Sequence, residues 1–163
     1  MTAFNGLPLV TLVTFIPLLG ALVVAFTPSS RPNLARYLAL GFALVAWVAS
    51  LILLVSFSSG ADGFQFKESV AWIPMFGINY AVGVDGLSMV LVVLTTTLTW
   101  ISILASFSPI QTRVKEYMAS FLILEVGMIG VFVAMDLFLF YIFWELVLVP
   151  MYLIIGIWGG KNR

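Results

Sequence analysis

Long apolar stretches separated by short polar connections dominate the pattern of this chain. A run of about 20 apolar residues, when helical, is long enough to cross the hydrocarbon core of a bilayer. Five stretches qualify, at about residues 7–26, 37–57, 86–107, 116–135 and 137–157. The pattern therefore predicts an all-α, polytopic protein with five transmembrane helices, which form a single membrane domain over residues 1–163.

Charges in the connections alternate along the chain and predict its orientation. Six of the seven basic residues fall at one end of the predicted bundle: Arg31, Arg36, Arg113, Lys115, Lys161 and Arg163. The seventh, Lys67, lies in the connection 58–85 beside three acids. Because cytoplasmic loops carry an excess of Lys and Arg, we expect an outer N-terminus and a cytoplasmic C-terminus.

The outer connection, residues 58–85, carries its own local signals. Pro74 and Gly77 lie between two apolar and aromatic runs, which is typical of a short hairpin. Asp85 precedes the third predicted helix and Asp136 precedes the fifth. An aspartate at these positions can accept hydrogen bonds from unpaired N–H groups of the first helical turn, so both are predicted N-caps.

Composition narrows the possible chemistry. Hydrophobic residues make up 63% of the chain and charged residues 9%, too few charges to cover a water-soluble domain. The lipid bilayer is therefore the expected partner, and the zero formal net charge gives no case for nucleic acid. Histidine and cysteine are absent, which removes imidazole and thiol chemistry, Cys/His metal sites and iron–sulfur ligation. We expect this chain to bind no metal and no cofactor.

Two acids lie inside predicted membrane helices, Glu125 in the fourth and Glu145 in the fifth. Counted from the turn at Asp136, both carboxyls lie roughly 13–17 Å below the outer boundary. A charge at that depth costs about 2.5–3.5 kcal/mol on insertion scales, and such acids are usually functional. If both face inward, they could share protons. The alternative is a neutral glutamic acid that holds a neighbouring helix by a hydrogen bond.

Other polar features of the fifth helix surround Glu145. Pro150 has no N–H and leaves the carbonyl of Leu146 without its helical donor. Tyr141 and Tyr152 fall near Glu145 at helical spacing, which makes Tyr141 a candidate proton relay. The alternative for the proline and the tyrosines is packing against neighbouring helices.

The third helix carries hydroxyl side chains along one face. They are Ser88, Thr95, Thr99, Ser102 and Ser106, spaced 7, 4, 3 and 4 residues apart. This stripe could line a hydrated path. The alternative, which we favour, is close helix packing or hydrogen bonding to carbonyls four residues back.

Several stretches resemble one family along the whole chain. They are MDLFLFYIFWELVLVPMYLIIGIWGGK (135–161), LILEVGMIGVF (122–132), GVDGLS (83–88) and FIPLLGALVV (15–24). The first stretch is specific for the family, whereas each of the other three would be weak evidence by itself. Together they resemble the N-terminal portion of the antiporter-like chain M, or chain 4, of proton-pumping NADH:quinone oxidoreductase (respiratory complex I).

The resemblance implies a role for Glu145. Family members have roughly fourteen helices, so this chain corresponds to the N-terminal third and is not expected to translocate protons alone. Glu145 falls on the position of a fifth-helix glutamate that pairs with a lysine on a broken seventh helix. Glu125 is a second candidate proton site.

The resemblance also implies partners and a location. The chain is expected to be a non-redox subunit in a bacterial inner membrane, beside other membrane subunits that include sister antiporter-like ones. NADH, FMN, iron–sulfur clusters and quinone are expected in partner subunits. Two alternatives stay open: a subunit of a multisubunit cation/proton antiporter or membrane-bound hydrogenase, and a structural assembly module without transport.

Overall fold

The computed structural model describes residues 6–162 and is mostly helical. Its helices are α1 (Leu9–Ala25), α2 (Pro32–Ser56), α3 (Gly86–Ala105), α4 (Val114–Val133) and α5 (Leu137–Trp158), and its strands are β1 (Gln65–Ile73) and β2 (Ile78–Val84). Helices α2 to α5 are long and apolar enough to span a membrane, whereas α1 is a shorter apolar helix of 17 residues, near the lower limit for a span. The chain is a multi-pass membrane protein, as predicted.

Most helix boundaries lie within two residues of the prediction, and two of the differences have clear physical reasons. Helix α2 begins at Pro32, before the apolar run, because a proline at the first helical position loses no hydrogen bond. Helix α4 ends at Val133, before the predicted boundary at 135. There the chain joins the hairpin: Ala134 forms a bridge with Val82, and the N–H of Met135 donates to the carbonyl of Ala81 at 2.8 Å.

Helix α4 is the centre of the bundle. It packs against each of the other four helices, whereas α5 packs chiefly against α4 and β2. Close approach of α4 and α5 depends on Gly127 and Gly130. A Cβ at Gly127 would lie 2.8 Å from Val147, and one at Gly130 would overlap the ring of Phe143. Helix α5 therefore lies at the edge of the described bundle.

Buried side chains form two separate hydrophobic clusters. We call the end of the bundle with the hairpin the outer end, and the opposite end, with the loops 26–31 and 106–113, the basic end. The outer-end cluster includes Val10, Val13, Val82, Val84, Ile129 and Phe143. The basic-end cluster includes Ala21, Val24, Ala39, Ala43, Met118 and Leu122.

Strands β1 and β2 form an antiparallel hairpin within the predicted outer loop. A short 3₁₀ turn, Pro74–Phe76, joins them and ends at Gly77, whose φ of 65° is left-handed and suits glycine. The hairpin is fastened to α1, and Pro8, the N-cap residue of that helix, provides no side-chain hydrogen bond. Instead, a carboxylate oxygen of Glu68 accepts hydrogen bonds from the N–H groups of Val10 and Thr11 at 3.0 and 3.2 Å.

Both predicted aspartate caps are confirmed. Asp85 accepts a hydrogen bond from the N–H of Ser88 at 2.8 Å, and the Ser88 hydroxyl accepts one from the N–H of Asp85. Asp136 accepts from the N–H groups of Phe138 and Leu139, and also from the N–H of Asn79 in the hairpin. These backbone donors lower the pKa of each aspartate. Their capping is therefore present above the ordinary carboxyl pKa and is lost as acid protonates them.

Replacing Glu68 by glutamine is expected to lower the stability of the outer end by about 1 kcal/mol. The change removes the charge from a cap that serves two N–H groups at the start of α1, and caps of this kind contribute about that much. Thermal denaturation of the full-length subunit measures the effect. The matched control is Glu116→Gln, since Glu116 makes only a 3.9 Å contact with Arg113 at the surface. An equal shift in both variants would contradict a capping role for Glu68.

Candidate proton-transfer site

Glu125 lies in the interior of the bundle. Its side chain is 0% exposed, and it lies between Leu122 of the basic-end cluster and Ile129 of the outer-end cluster. Neither carboxyl oxygen has a hydrogen-bond partner among the described residues. Burying an unpaired carboxylate is costly, so this environment favours the neutral acid.

Glu145 lies on the exposed face of α5. The hydroxyl of Tyr141, one turn earlier, interacts with its carboxylate. Tyr141 is 57% exposed and Tyr152 is 77% exposed, so the predicted polar stripe lies on the surface that the described residues leave uncovered. Helix α5 runs unbroken through Pro150, whose side chain is buried.

The two glutamates match in depth but not in direction. Each lies eight residues from the outer end of its helix, Val133 or Leu137, which is about 12 Å along the axis. Glu125 is two residues before Gly127, which meets α5, so its side chain points away from that helix. Glu125 faces the interior of the bundle, and Glu145 faces away from it. Proton sharing required both acids to face inward, so this condition is not met.

The hydroxyls of α3 are largely occupied by their own helix. Thr95 donates to the carbonyl of Leu91, Thr99 to that of Thr95, and Ser106 to that of Ser102, each over 2.7 or 2.8 Å. Ser88 is used in the cap with Asp85. This geometry supports the packing interpretation of the stripe over the hydrated path.

Two sets of polar contacts at the ends of the bundle escaped the sequence analysis. Glu68 caps α1 from 57 and 58 residues away, which no local pattern signals. Arg36 is buried at the basic end, where it donates to Asn33, to the carbonyl of Ile110 and to Gln111. It thereby joins the start of α2 to the connection between α3 and α4. Arg163, the last of the six predicted basic-end residues, lies outside the described residues.

Within residues 6–162, no three acidic side chains come together in a way that could hold a metal ion. The side chains of Glu125, Glu145 and Tyr141 carry carboxyl and phenol groups, which can take up, hold and release protons.

Comparison with known proteins identifies the relatives of this chain. Residues 134–163, which include all of α5, match the family model described as NADH:quinone oxidoreductase/Mrp antiporter, TM. NADH-quinone oxidoreductase subunit M of Rhodobacter capsulatus is 49% identical over 160 residues, which cover 95% of this chain and 30% of that protein. The chain belongs to the subunit M/chain 4 family.

Other members of the subunit M/chain 4 family match to a similar extent. NADH-ubiquinone oxidoreductase chain 4 of Chondrus crispus is 43% identical over 98% of this chain and 32% of its own length. Chain 4 of Arabidopsis thaliana is 45% identical over 90% of this chain and 30% of its own length. The chain thus spans about a third of the length of these relatives, and it matches their N-terminal portion. Bacterial relatives support the predicted inner-membrane localisation.

Proposed function

We propose that this chain is part of a proton-translocating membrane subunit of NADH:quinone oxidoreductase, in which Glu145 takes up and releases protons. The observation that carries the proposal is the position of Glu145. It is a carboxylate about 12 Å from the outer end of a membrane helix, on a face that the described residues leave open. Placing an ionisable group at such depth in the membrane costs free energy, and such groups are usually functional or paired.

A partner for Glu145 must come from outside the described bundle. The described part of α5 contains no other charged residue. The basic side chains of residues 6–162 lie at the ends of helices, in connections or, for Lys67, in β1. A cation that approaches the open face would favour the carboxylate form of Glu145, and its withdrawal would favour the neutral acid. Movement of the cation toward or away from Glu145 would therefore cause Glu145 to release or take up a proton. In related subunits, the lysine on the seventh helix is the group expected to do this.

Electron transfer belongs to partner subunits in this proposal. NADH, FMN, iron–sulfur clusters and quinone are held elsewhere in the complex, and this chain works as a non-redox subunit beside sister antiporter-like subunits. The relatives are named as subunits or chains of the oxidoreductase, which supports membership in a multisubunit enzyme. Measuring quinone-linked proton pumping by the assembled complex with Glu145→Gln in the full-length subunit tests the proposal.

Removing the hydroxyl of Tyr141 is expected to slow pumping by about tenfold. Tyr141→Phe keeps the ring but removes the hydroxyl that interacts with the carboxylate of Glu145 one turn later. Tyr152→Phe is the matched control, since Tyr152 is a tyrosine on the same helix, still more exposed, with no hydrogen bond among the described residues. Proton pumping that falls equally in both variants would exclude Tyr141 as a relay.

Glu125 is proposed as a second proton site, separate from that of Glu145. Glu125→Gln is expected to lower pumping by less than tenfold, because Glu125 lies within a closed apolar environment and contacts no proton donor or acceptor among the described residues. Quinone-linked proton pumping by the assembled complex measures this effect, and Glu125→Leu is a companion variant that fills the space without polar atoms. A loss as large as that of Glu145→Gln would show that Glu125 lies on the main path.

A cation/proton antiporter subunit is the second candidate function. The family model that matches α5 is named for both NADH:quinone oxidoreductase and Mrp antiporters, which favours a shared transport mechanism. Dependence of transport on sodium without quinone reduction would favour this candidate. The remaining alternative, a structural module, predicts that Glu145→Gln disturbs assembly and leaves pumping normal per assembled complex.

A further inference from the structure

Two cavities meet at the basic end of the bundle, and they share a charged wall. That wall consists of Arg113, Lys115 and Glu116 at the start of α4. One cavity, of about 280 Å³, opens beside the connection between α1 and α2 and is bounded by Ser29 and Gln111. The other, of about 380 Å³, extends along α4 toward the middle of the predicted membrane.

Away from its charged wall, the second cavity is lined mostly by apolar side chains, with Ser120 as a polar exception. Five of its lining residues are Ala25 of α1, Ala119 and Ile123 of α4, and Leu153 and Ile157 of α5. This groove therefore lies where three helices separate toward the basic end. A polar cavity and an apolar groove that meet at a basic wall fit a molecule with a charged head and a hydrocarbon tail.

We propose that the groove between α4 and α5 binds an anionic phospholipid. Its phosphate lies against Arg113 and Lys115, and one acyl chain follows Ala119, Ile123 and Leu153 into the bilayer. Two basic side chains and one acid leave the wall with a net positive charge, which complements an anionic head group. Basic pockets between membrane helices at the cytoplasmic boundary are known to bind such head groups.

The basic groups of the wall are available to a phosphate. The side chain of Arg113 is 59% exposed, and its Nε lies 3.9 Å from Glu116, a separation too long for a strong ion pair. The ammonium of Lys115 makes a single 3.2 Å hydrogen bond to the carbonyl of Thr27, so two of its three donors have no partner among the described residues.

Trp158 places the groove at the depth of lipid head groups. Its indole N–H donates to the carbonyl of Thr112 at 2.8 Å, and its ring packs edge-on against Tyr117 with 5.2 Å between centroids. Tryptophan is enriched at the membrane–water interface. The basic wall therefore lies at the interface, and the apolar groove lies on its membrane side.

Photolabelling of the complex that contains the full-length subunit tests this inference. The complex is placed in phosphatidylcholine nanodiscs with a minor fraction of phosphatidylglycerol that carries a diazirine in one acyl chain. We expect labelling of peptides that contain Ile123 or Leu153, and less labelling from the matching phosphatidylcholine probe. Arg113→Gln with Lys115→Gln should lower labelling about 25-fold, or about fivefold for each charge. Lys115→Arg should keep it.

Controls separate this site from general membrane attraction. Lys161→Gln removes a base at the same end that lines neither cavity, and it should leave the labelling unchanged. Equal labelling from the two lipids, or normal labelling in the double variant, would overturn the proposal. So would absent labelling, which would mean that protein covers the groove in the complex.

Discussion

Replacing Glu145 by glutamine is expected to abolish quinone-linked proton pumping while the complex still assembles. Glutamine has nearly the same shape and can still accept a hydrogen bond from Tyr141, but it cannot ionise or release a proton. Groups that transfer protons contribute about 10² to 10⁴ in rate, so pumping should fall at least about a hundredfold. Because glutamine carries no charge, insertion of α5 into the membrane should not be impaired.

Two further variants make the result for Glu145 specific. Glu145→Asp keeps a carboxyl group about one carbon–carbon bond nearer the backbone and should retain part of the pumping. Asp62→Asn removes an exposed acid from the connection before β1 and should have no effect. Proton uptake into vesicles, normalised to assembled complex, measures all three. Normal pumping with Glu145→Gln would refute the proposed role of this residue.

Elements that depend on local signals were predictable from the sequence. The five apolar helices follow from stretches long enough to span a bilayer, and the N-caps follow from Asp85 and Asp136 at the start of such stretches. The depth of Glu125 and Glu145 also follows, because rise per residue is constant along a helix. Each of these features needs only the residues of one element and its immediate neighbours.

The directions in which Glu125 and Glu145 point were not predictable from the sequence. A helix that is apolar on all sides has no hydrophobic face to show which side meets its neighbours, so its rotation stays undetermined. Here the rotation depends on pairs of residues in different helices, such as Gly130 with Phe143. The cap that Glu68 provides for α1 escaped prediction for a similar reason, since the contact spans 58 residues.

The contact between Gly130 and Phe143 determines which way Glu145 faces. Phe143 is buried with its ring against Gly130 of α4, in the place that a Cβ would occupy. Glu145 follows two residues later, about 200° around the helix, and therefore points away from α4. A side chain at position 130 would have to displace the ring, and with it the whole of α5 relative to α4.

Replacing Gly130 by alanine is therefore expected to destabilise the subunit by roughly 1–3 kcal/mol, the usual cost of overpacking. Pumping should fall as well, because α5 would turn or move with Phe143. The helix propensity of alanine exceeds that of glycine by about 1 kcal/mol, so this term alone would stabilise the variant. A loss of stability would therefore show that the steric conflict outweighs it. Thermal denaturation of the assembled complex and proton uptake into vesicles measure the two effects.

A matched control exists in Gly41 of α2, where a Cβ would meet no atom within 4 Å. Gly41→Ala should be neutral or stabilising, in contrast to Gly130→Ala. Combining Gly130→Ala with Phe143→Leu should recover part of both stability and pumping, because the smaller side chain makes room for the added methyl group. The double-mutant cycle then measures the coupling between the two residues. Additive effects would contradict the idea that this contact sets the rotation of α5 and the outward direction of Glu145.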